Sequence, residues 1–187
     1  GHCVTSERDC ASFKWVFDYN HKENDESLAS FEIPSTSVYS CEKVISQDLD
    51  RGTMNDFALI KLDRKVNDRT PLEYRKEGEV ELNTSLVVIG HPSGLPTKIA
   101  DGAWVRKSTN PIYFVANLDT FGGNSGSAVF DAETGVVEGI LVRGERDYVW
   151  DSRGCRVPKV CAEDECRGED VTRITNISEL IEKISAE

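Results

Sequence analysis

Residues 119–130 read Asp-Thr-Phe-Gly-Gly-Asn-Ser-Gly-Ser-Ala-Val-Phe, a glycine-rich turn around Ser125 that runs straight into an apolar strand. Glycines on both sides allow positive φ and leave the hydroxyl uncovered. Such a turn can also aim the amides of Gly123 and Ser125 at one point, the arrangement that stabilises a tetrahedral oxyanion. The plainer alternative is a tight hairpin carrying a chance serine. A serine hydroxyl is a poor nucleophile at neutral pH, so it needs a base, and the base needs an orienting acid. The chain has three histidines. His21 lies in a charged run and reads as a solvated loop residue, His91 follows an apolar run and reads as a turn residue, and His2 sits in Gly-His-Cys. For the acid, Asp56 stands immediately before Phe-Ala-Leu-Ile, where burial against a histidine would fix the imidazole's tautomer and stabilise its charged form. Asp63, at the other end of that run, is the alternative acid.

Chain order separates the hydrolase classes. The elbow of an α/β-hydrolase needs G-x-S-x-G with its histidine after the serine. Here Ser127 stands where the second glycine would, and no histidine follows Ser125, which excludes that class. The order His2, Asp56, Ser125 is that of the chymotrypsin type, whereas Asp56, His91, Ser125 would be the subtilisin order on an α/β fold.

The elements that must position these residues read as strands. Short runs of β-branched and aromatic residues, punctuated by Gly, Pro, Asn and Asp, predict strands over 14–19, 37–44, 57–62, 85–90, 102–105, 112–116, 127–130 and 136–142. With no long helix between them, the sheets are antiparallel. A terminal helix is expected where Ile177, Leu180, Ile181 and Ile184 keep helical spacing behind Asn176, with Glu179 completing a capping box. The polar stretch 67–81 could join two subdomains. Division falls at 1–75, 76–175 and 176–187 within a single domain.

A chain of 187 residues with 39% hydrophobic and 29% charged residues suits one sizeable globular domain. A net charge of −11 supplies no basic stripe for phosphates, which argues against nucleic acid or an anionic membrane as partner. No run approaches the ~18 apolar residues of a membrane span. Six cysteines point to an oxidising compartment and disulfide staples, with zinc at Cys161-x4-Cys166 as the competing reading. Asn83-Thr-Ser and Asn176-Ile-Ser match the glycosylation pattern, which is common by chance. The chain opens at Gly1-His2-Cys3 without a start methionine and reads as a fragment.

Gly-His-Cys-Val, Asp-Phe-Ala-Leu-Ile-Lys-Leu and Gly-Asn-Ser-Gly-Ser-Ala-Val-Phe resemble the three active-site blocks of trypsin-like serine peptidases. The segment Asp-Thr-Phe-Gly-Gly gives a bacterial flavour similar to glutamyl endopeptidases, and the likeness spans most of residues 1–144. It implies an all-β chymotrypsin-like fold: two antiparallel six-stranded barrels and a C-terminal helix, the first barrel incomplete because its earliest strands would precede His2. It further implies a secreted or periplasmic monomeric endopeptidase acting on protein or peptide substrates, with no cofactor and no metal. Ser125 would be nucleophile, His2 general base, Asp56 its orienting acid, and the amides of Gly123 and Ser125 the oxyanion hole. The rival from another class is a non-catalytic binding module derived from the same fold.

Two departures bear on function. Asn124 replaces the aspartate that in digestive relatives pairs with a freed N-terminal amine, so activation by that pair is not expected. By resemblance Asp119 falls where trypsins bind a substrate arginine or lysine. Glutamate-specific relatives read their substrate with a histidine on the strand matching 139–144, which here reads Gly-Ile-Leu-Val-Arg-Gly. Substrate binding is thus assigned to Asp119, Arg143 and Gly144, with a lean towards basic residues; Arg143 could instead bind an acidic side chain. The resemblance leaves Cys3 without its usual partner and makes a Cys10–Cys41 bridge plausible, with one local bridge among Cys155, Cys161 and Cys166. The charged stretch 144–170 reads as a long loop, either a solvent-facing insertion or a contributor to substrate choice.

Overall fold

The computed structural model describes residues 1–21, 32–162 and 165–184. After a short helix α1 (Glu7–Ser12), strands β1 (Lys14–Val16), β2 (Val38–Leu49) and β3 (Asp56–Leu62) form an open antiparallel sheet in that order. Strands β4 (Ser85–Gly90), β5 (Lys98–Lys107), β6 (Tyr113–Ala116), β7 (Ala128–Asp131), β8 (Val137–Arg143) and β11 (Glu169–Arg173) close into a barrel ordered β11-β6-β5-β4-β7-β8. A hairpin of β9 (Tyr148–Trp150) and β10 (Arg156–Pro158) projects between β8 and β11, and α2 (Ser178–Ile184) ends the described chain. The fold is therefore nearly all-β, as expected, with one closed barrel and one open sheet.

Alternation builds the barrel. Along β4 the inward Leu86 and Val88 are buried while Ser85 and Ile89 face outward, the period-2 pattern of a strand with one buried face. Leu86, Val105, Phe114, Val129, Leu141 and Val171, none more than 3% exposed, fill the interior from every side. Closure pairs every strand with two neighbours, so the barrel has no open edge.

Among the described residues, three sets of contacts fasten the sheet to the barrel. Phe57 and Leu59 on β3 share an apolar cluster with Ile140 on β8, Ile174, Ile177 and Leu180. Arg143, the last residue of β8, donates through Nε to Asp170 at 2.7 Å and through Nη2 to the Met54 carbonyl at 2.9 Å, two residues before Asp56. At the other end Tyr19 stacks on His91 and its carbonyl accepts from the Thr97 amide at 2.9 Å. A Cys10–Cys41 disulfide ties α1 to β2, and Cys161–Cys166 bridges the loop before β11, while Cys3 and Cys155 carry free thiols.

Several expectations shift. Strand β2 runs five residues past 44, because Ser46, Gln47 and Asp48 pair with β3 although their polarity hid the strand. Strand β1 stops at Val16, and Asp18 turns the chain at φ 64°. Helix α2 starts at Ser178 rather than behind Asn176 as cap, and the Asn176 amide instead donates to the Ile112 carbonyl at 2.6 Å. Ile177, just before the helix, and Leu180 within it do pack on the seam; the Ile184 side chain and residues 185–187 lie outside the described residues. The stretch 144–170 is not one loop, since it holds the β9–β10 hairpin and opens into β11.

Candidate active site

The cleft between sheet and barrel, about 510 Å³, is lined from one side by His2 and Asp56 and from the other by Gly123, Ser125 and His91. Asp56 opens β3 and is 5% exposed, held there by the ladder with Leu49 and by Phe57 anchoring the next residue in the seam. Its Oδ2 lies 2.7 Å from His2 Nδ1, and its Oδ1 accepts from the His2 amide at 3.0 Å, with the Gly1 nitrogen at 2.8 Å. Burial pushes this carboxyl up, while hydrogen bonds from the His2 ring and amide pull it down. A charged Asp56 accepting from Nδ1–H fixes the imidazole tautomer that leaves Nε2 unprotonated, the state a general base needs.

Ser125 crests an exposed turn whose shape the flanking residues dictate. Gly123 and Gly126 sit at φ 101° and 87°, in the left-handed region where a side chain is strained. A Cβ on Gly123 would also meet the Ser93 amide at 2.8 Å. The Ser93 amide donates to the Gly122 carbonyl at 2.7 Å, and because a trans peptide points its carbonyl and the next N–H in opposite directions, the Gly123 N–H direction is fixed. The Asn124, Gly126 and Ser127 amides are satisfied by the Phe121, Leu141 and Asn124 carbonyls, whereas among the described residues nothing accepts from the Gly123 or Ser125 amides. Asn124 is buried, donating to the Phe121 carbonyl at 3.1 Å and accepting from the Ser127 hydroxyl at 3.4 Å. It braces the turn from inside.

Ser125 also lines a small pocket of about 110 Å³, together with Phe121, Gly122, Arg143, Gly144, Asp147 and Glu169. Asp119 is exposed and lines an adjoining recess of about 420 Å³ with Arg106, Arg146 and Lys159, and Thr120, Phe121, Asp147 and Glu169 line both. Arg143 borders the small pocket, but its guanidinium is held by Asp170 and Met54 and lies 5.2 Å over the Tyr113 ring. His91 turns its Nδ1 to the Leu95 carbonyl at 3.0 Å, and the carboxylate in the cleft is taken by His2. The β9–β10 hairpin reaches the serine turn: Tyr148 packs on Phe121 at 5.5 Å, and Asp147 accepts from the Gly122 amide at 2.7 Å.

Glu169 and Asp147 escape a reading by sequence. Glu169 opens a strand whose buried residues are mostly polar, and Asp147 sits in what looks like a charged loop. The one available signal was the acidic density of 144–170 behind the strand that follows the serine turn. Among the described residues no group of three or more His, Cys, Asp or Glu is placed to hold a metal, and Cys161 and Cys166 are joined to each other. No described helix is long and apolar enough to cross a membrane.

A glycine-flanked serine turn on a β-barrel faces a histidine–carboxylate pair across one cleft, an arrangement compatible with the serine peptidase class. Residues 1–140 match the family described as the trypsin-like peptidase domain, and this chain belongs to that family. Among solved structures it is similar to the Rv3671c protease of Mycobacterium tuberculosis. The inactive form is 18% identical with a TM-score of 0.51, over 79% of this chain and 68% of that one. An inactive mutant from strain H37Rv is 17% identical with a TM-score of 0.50, over 80% of this chain and 66% of that one. The active form is 18% identical with a TM-score of 0.50, over 79% of this chain and 62% of that one. At these identities the likeness is one of fold, and the chain spans about two thirds of the length of those structures. No match was found among curated proteins.

Proposed function

We propose that this domain is a secreted or periplasmic serine endopeptidase, with Ser125 as nucleophile, His2 as general base and then acid, and Asp56 as the orienting carboxylate. The observation that carries the reading is the 2.7 Å His2–Asp56 pair lining the same cleft as an exposed Ser125 set between two positive-φ glycines. His2 Nε2 takes the hydroxyl proton as Ser125 Oγ attacks the scissile carbonyl carbon. The carbonyl oxygen becomes an oxyanion received by the free Gly123 and Ser125 amides. The imidazolium, stabilised by Asp56, then protonates the leaving amine, and water repeats the sequence on the ester. Two disulfides support an oxidising compartment. Peptides with arginine or lysine before the scissile bond fit the carboxylates of the pocket beyond Ser125.

A fluorophosphonate probe tests this directly. Labelling of the folded protein that disappears in Ser125→Ala, and falls by about 10⁴-fold or more in rate in His2→Ala, is expected. An unlabelled folded protein would favour a binding module, and His91→Ala abolishing labelling while His2→Ala does not would move the base to His91.

A further inference from the structure

Residues 121–124 form a tight turn, closed by the Asn124 amide donating to the Phe121 carbonyl at 3.1 Å. Its two central residues are Gly122 and Gly123, so no side chain anchors the peptide between them. Gly123 at φ 101° gives that peptide the orientation of a type II turn. The type I alternative differs by rotating this one peptide, and glycine tolerates both. Such a rotation would reverse the Gly123 N–H, one of the two amides left free to receive an oxyanion.

What holds the peptide comes from outside the turn. The Ser93 amide donates to the Gly122 carbonyl at 2.7 Å, and Ser93 does so from φ 53°, a left-handed conformation that is uncommon for a residue with a side chain. On the other side Asp147 Oδ2 accepts from the Gly122 amide at 2.7 Å. Tyr148 packs its ring on Phe121 at 5.5 Å and brings its hydroxyl within 3.4 Å of the Ser93 hydroxyl, so one residue touches both arms of the clamp. The hairpin that presents this pair is closed at the same point, where the Lys159 amide donates to the Asp147 carbonyl at 2.7 Å, and the Arg156 guanidinium lies 4.8 Å over the Tyr148 ring. Among the described residues the Asp147 carboxylate makes no ion pair, since Lys159 pairs with Glu145. Its neighbour in the pocket lining is another acid, Glu169, whose carboxyl burial pushes up to about 7, with the Asp147 charge adding to the rise. The Gly122 amide is thus the group that the Asp147 side chain serves.

We propose that Asp147 and Tyr148, at the base of the β9–β10 hairpin, are positioning residues that hold the Gly122–Gly123 peptide with its N–H towards the oxyanion. The inference rests on the peptidase reading above. Its test measures turnover of peptides that differ only in the residue before the scissile bond, Lys, Leu or Glu, with fluorophosphonate labelling of Ser125 in parallel. Asp147→Ala should lower kcat by about 10- to 100-fold, short of losing an oxyanion donor outright, with KM within about threefold and the same factor for every peptide. Ser125 adds to a peptidyl trifluoromethyl ketone, His2 taking the hydroxyl proton, to leave an oxyanion in the same place, so the affinity of Asp147→Ala for that ketone should fall in step with kcat. Asp147→Asn, whose amide oxygen can still accept from Gly122, should recover most of the loss. Tyr148→Ala should act in the same direction as Asp147→Ala, and it decides the matter by the same two measurements should Asp147→Ala not fold. An unchanged kcat, a loss confined to one peptide or to KM, or an Asp147→Asn variant as impaired as Asp147→Ala overturns the assignment, while wild-type labelling and turnover leave the peptidase intact. A wild-type protein that neither labels nor cleaves sinks both.

Discussion

The barrel and the open sheet solve the same problem by opposite means. The barrel buries Leu86, Phe114, Val129 and Val171 within its own walls and pairs every strand twice. The sheet keeps β1 and β3 as edges, exposes Phe13, Val16 and Leu49, and depends on a disulfide and on its seam with the barrel. The difference teaches where precision is kept: the turn bearing Ser125 stands on the self-sufficient half, and the histidine–carboxylate pair stands on the half that must be held in place.

The sharpest way to probe that division is Asp56→Asn, which keeps shape but reverses the imidazole's preferred tautomer. Peptide turnover should fall by about 10⁴-fold in kcat with the melting temperature little moved; an unchanged rate would strip the sheet of its catalytic part. Next, Phe114→Ala in the barrel should lower stability by about 3–5 kcal/mol in urea unfolding. Phe57→Ala at the seam should instead abolish activity at denaturant concentrations where the barrel remains folded, and coincident losses in both variants would erase the distinction. Replacing Cys10 and Cys41 by serine releases a cross-link across a separation of 31 residues, worth about 3–4 kcal/mol on the chain-entropy model. Hydrogen exchange should then accelerate in β1 and β2 but not in β6 or β11. Arg143→Met, which frees the Met54 carbonyl, should cost about 1–3 kcal/mol and lower kcat more than it raises KM, with partial recovery in Arg143→Lys. The smallest effect is one of pH. The Glu169 carboxyl titrates at about 7 in the fold against an ordinary 4.5, so the protonated form is favoured by folding. That stabilisation is complete below about 4.5 and is lost as pH rises through about 7, and Glu169→Gln should flatten the change in melting temperature over this window.

Where short apolar runs are bounded by turn residues, the sequence was readable: β3, β4, β7 and β8 fall within a residue or so of expectation, and the glycines around Ser125 announced the turn. Strand β11 was hidden because Asp170, Thr172 and Arg173 are buried yet polar. Their burial is made tolerable by partners far away in sequence, such as Arg143 for Asp170 and the Asn110 and Ser108 carbonyls for Arg173. Helix α1 carried a local signal, Ser6 with Asp9 three residues on, but only six residues of helix followed. Glu169 was illegible for the same reason as β11. A pocket floor is assembled by closure of the barrel, and closure is a long-range event that no window of sequence contains.

The seam also carries a meaning in time. The segment bearing His2 and Asp56 leaves the ribosome before the one bearing Ser125, and the last barrel strand, β11, emerges later still. On the proposed assignment, a nascent chain holds a base without a nucleophile, then both without a closed barrel to face them towards each other. On that assignment activity waits on closure of the barrel by β11 between β6 and β8, and not on the serine turn alone.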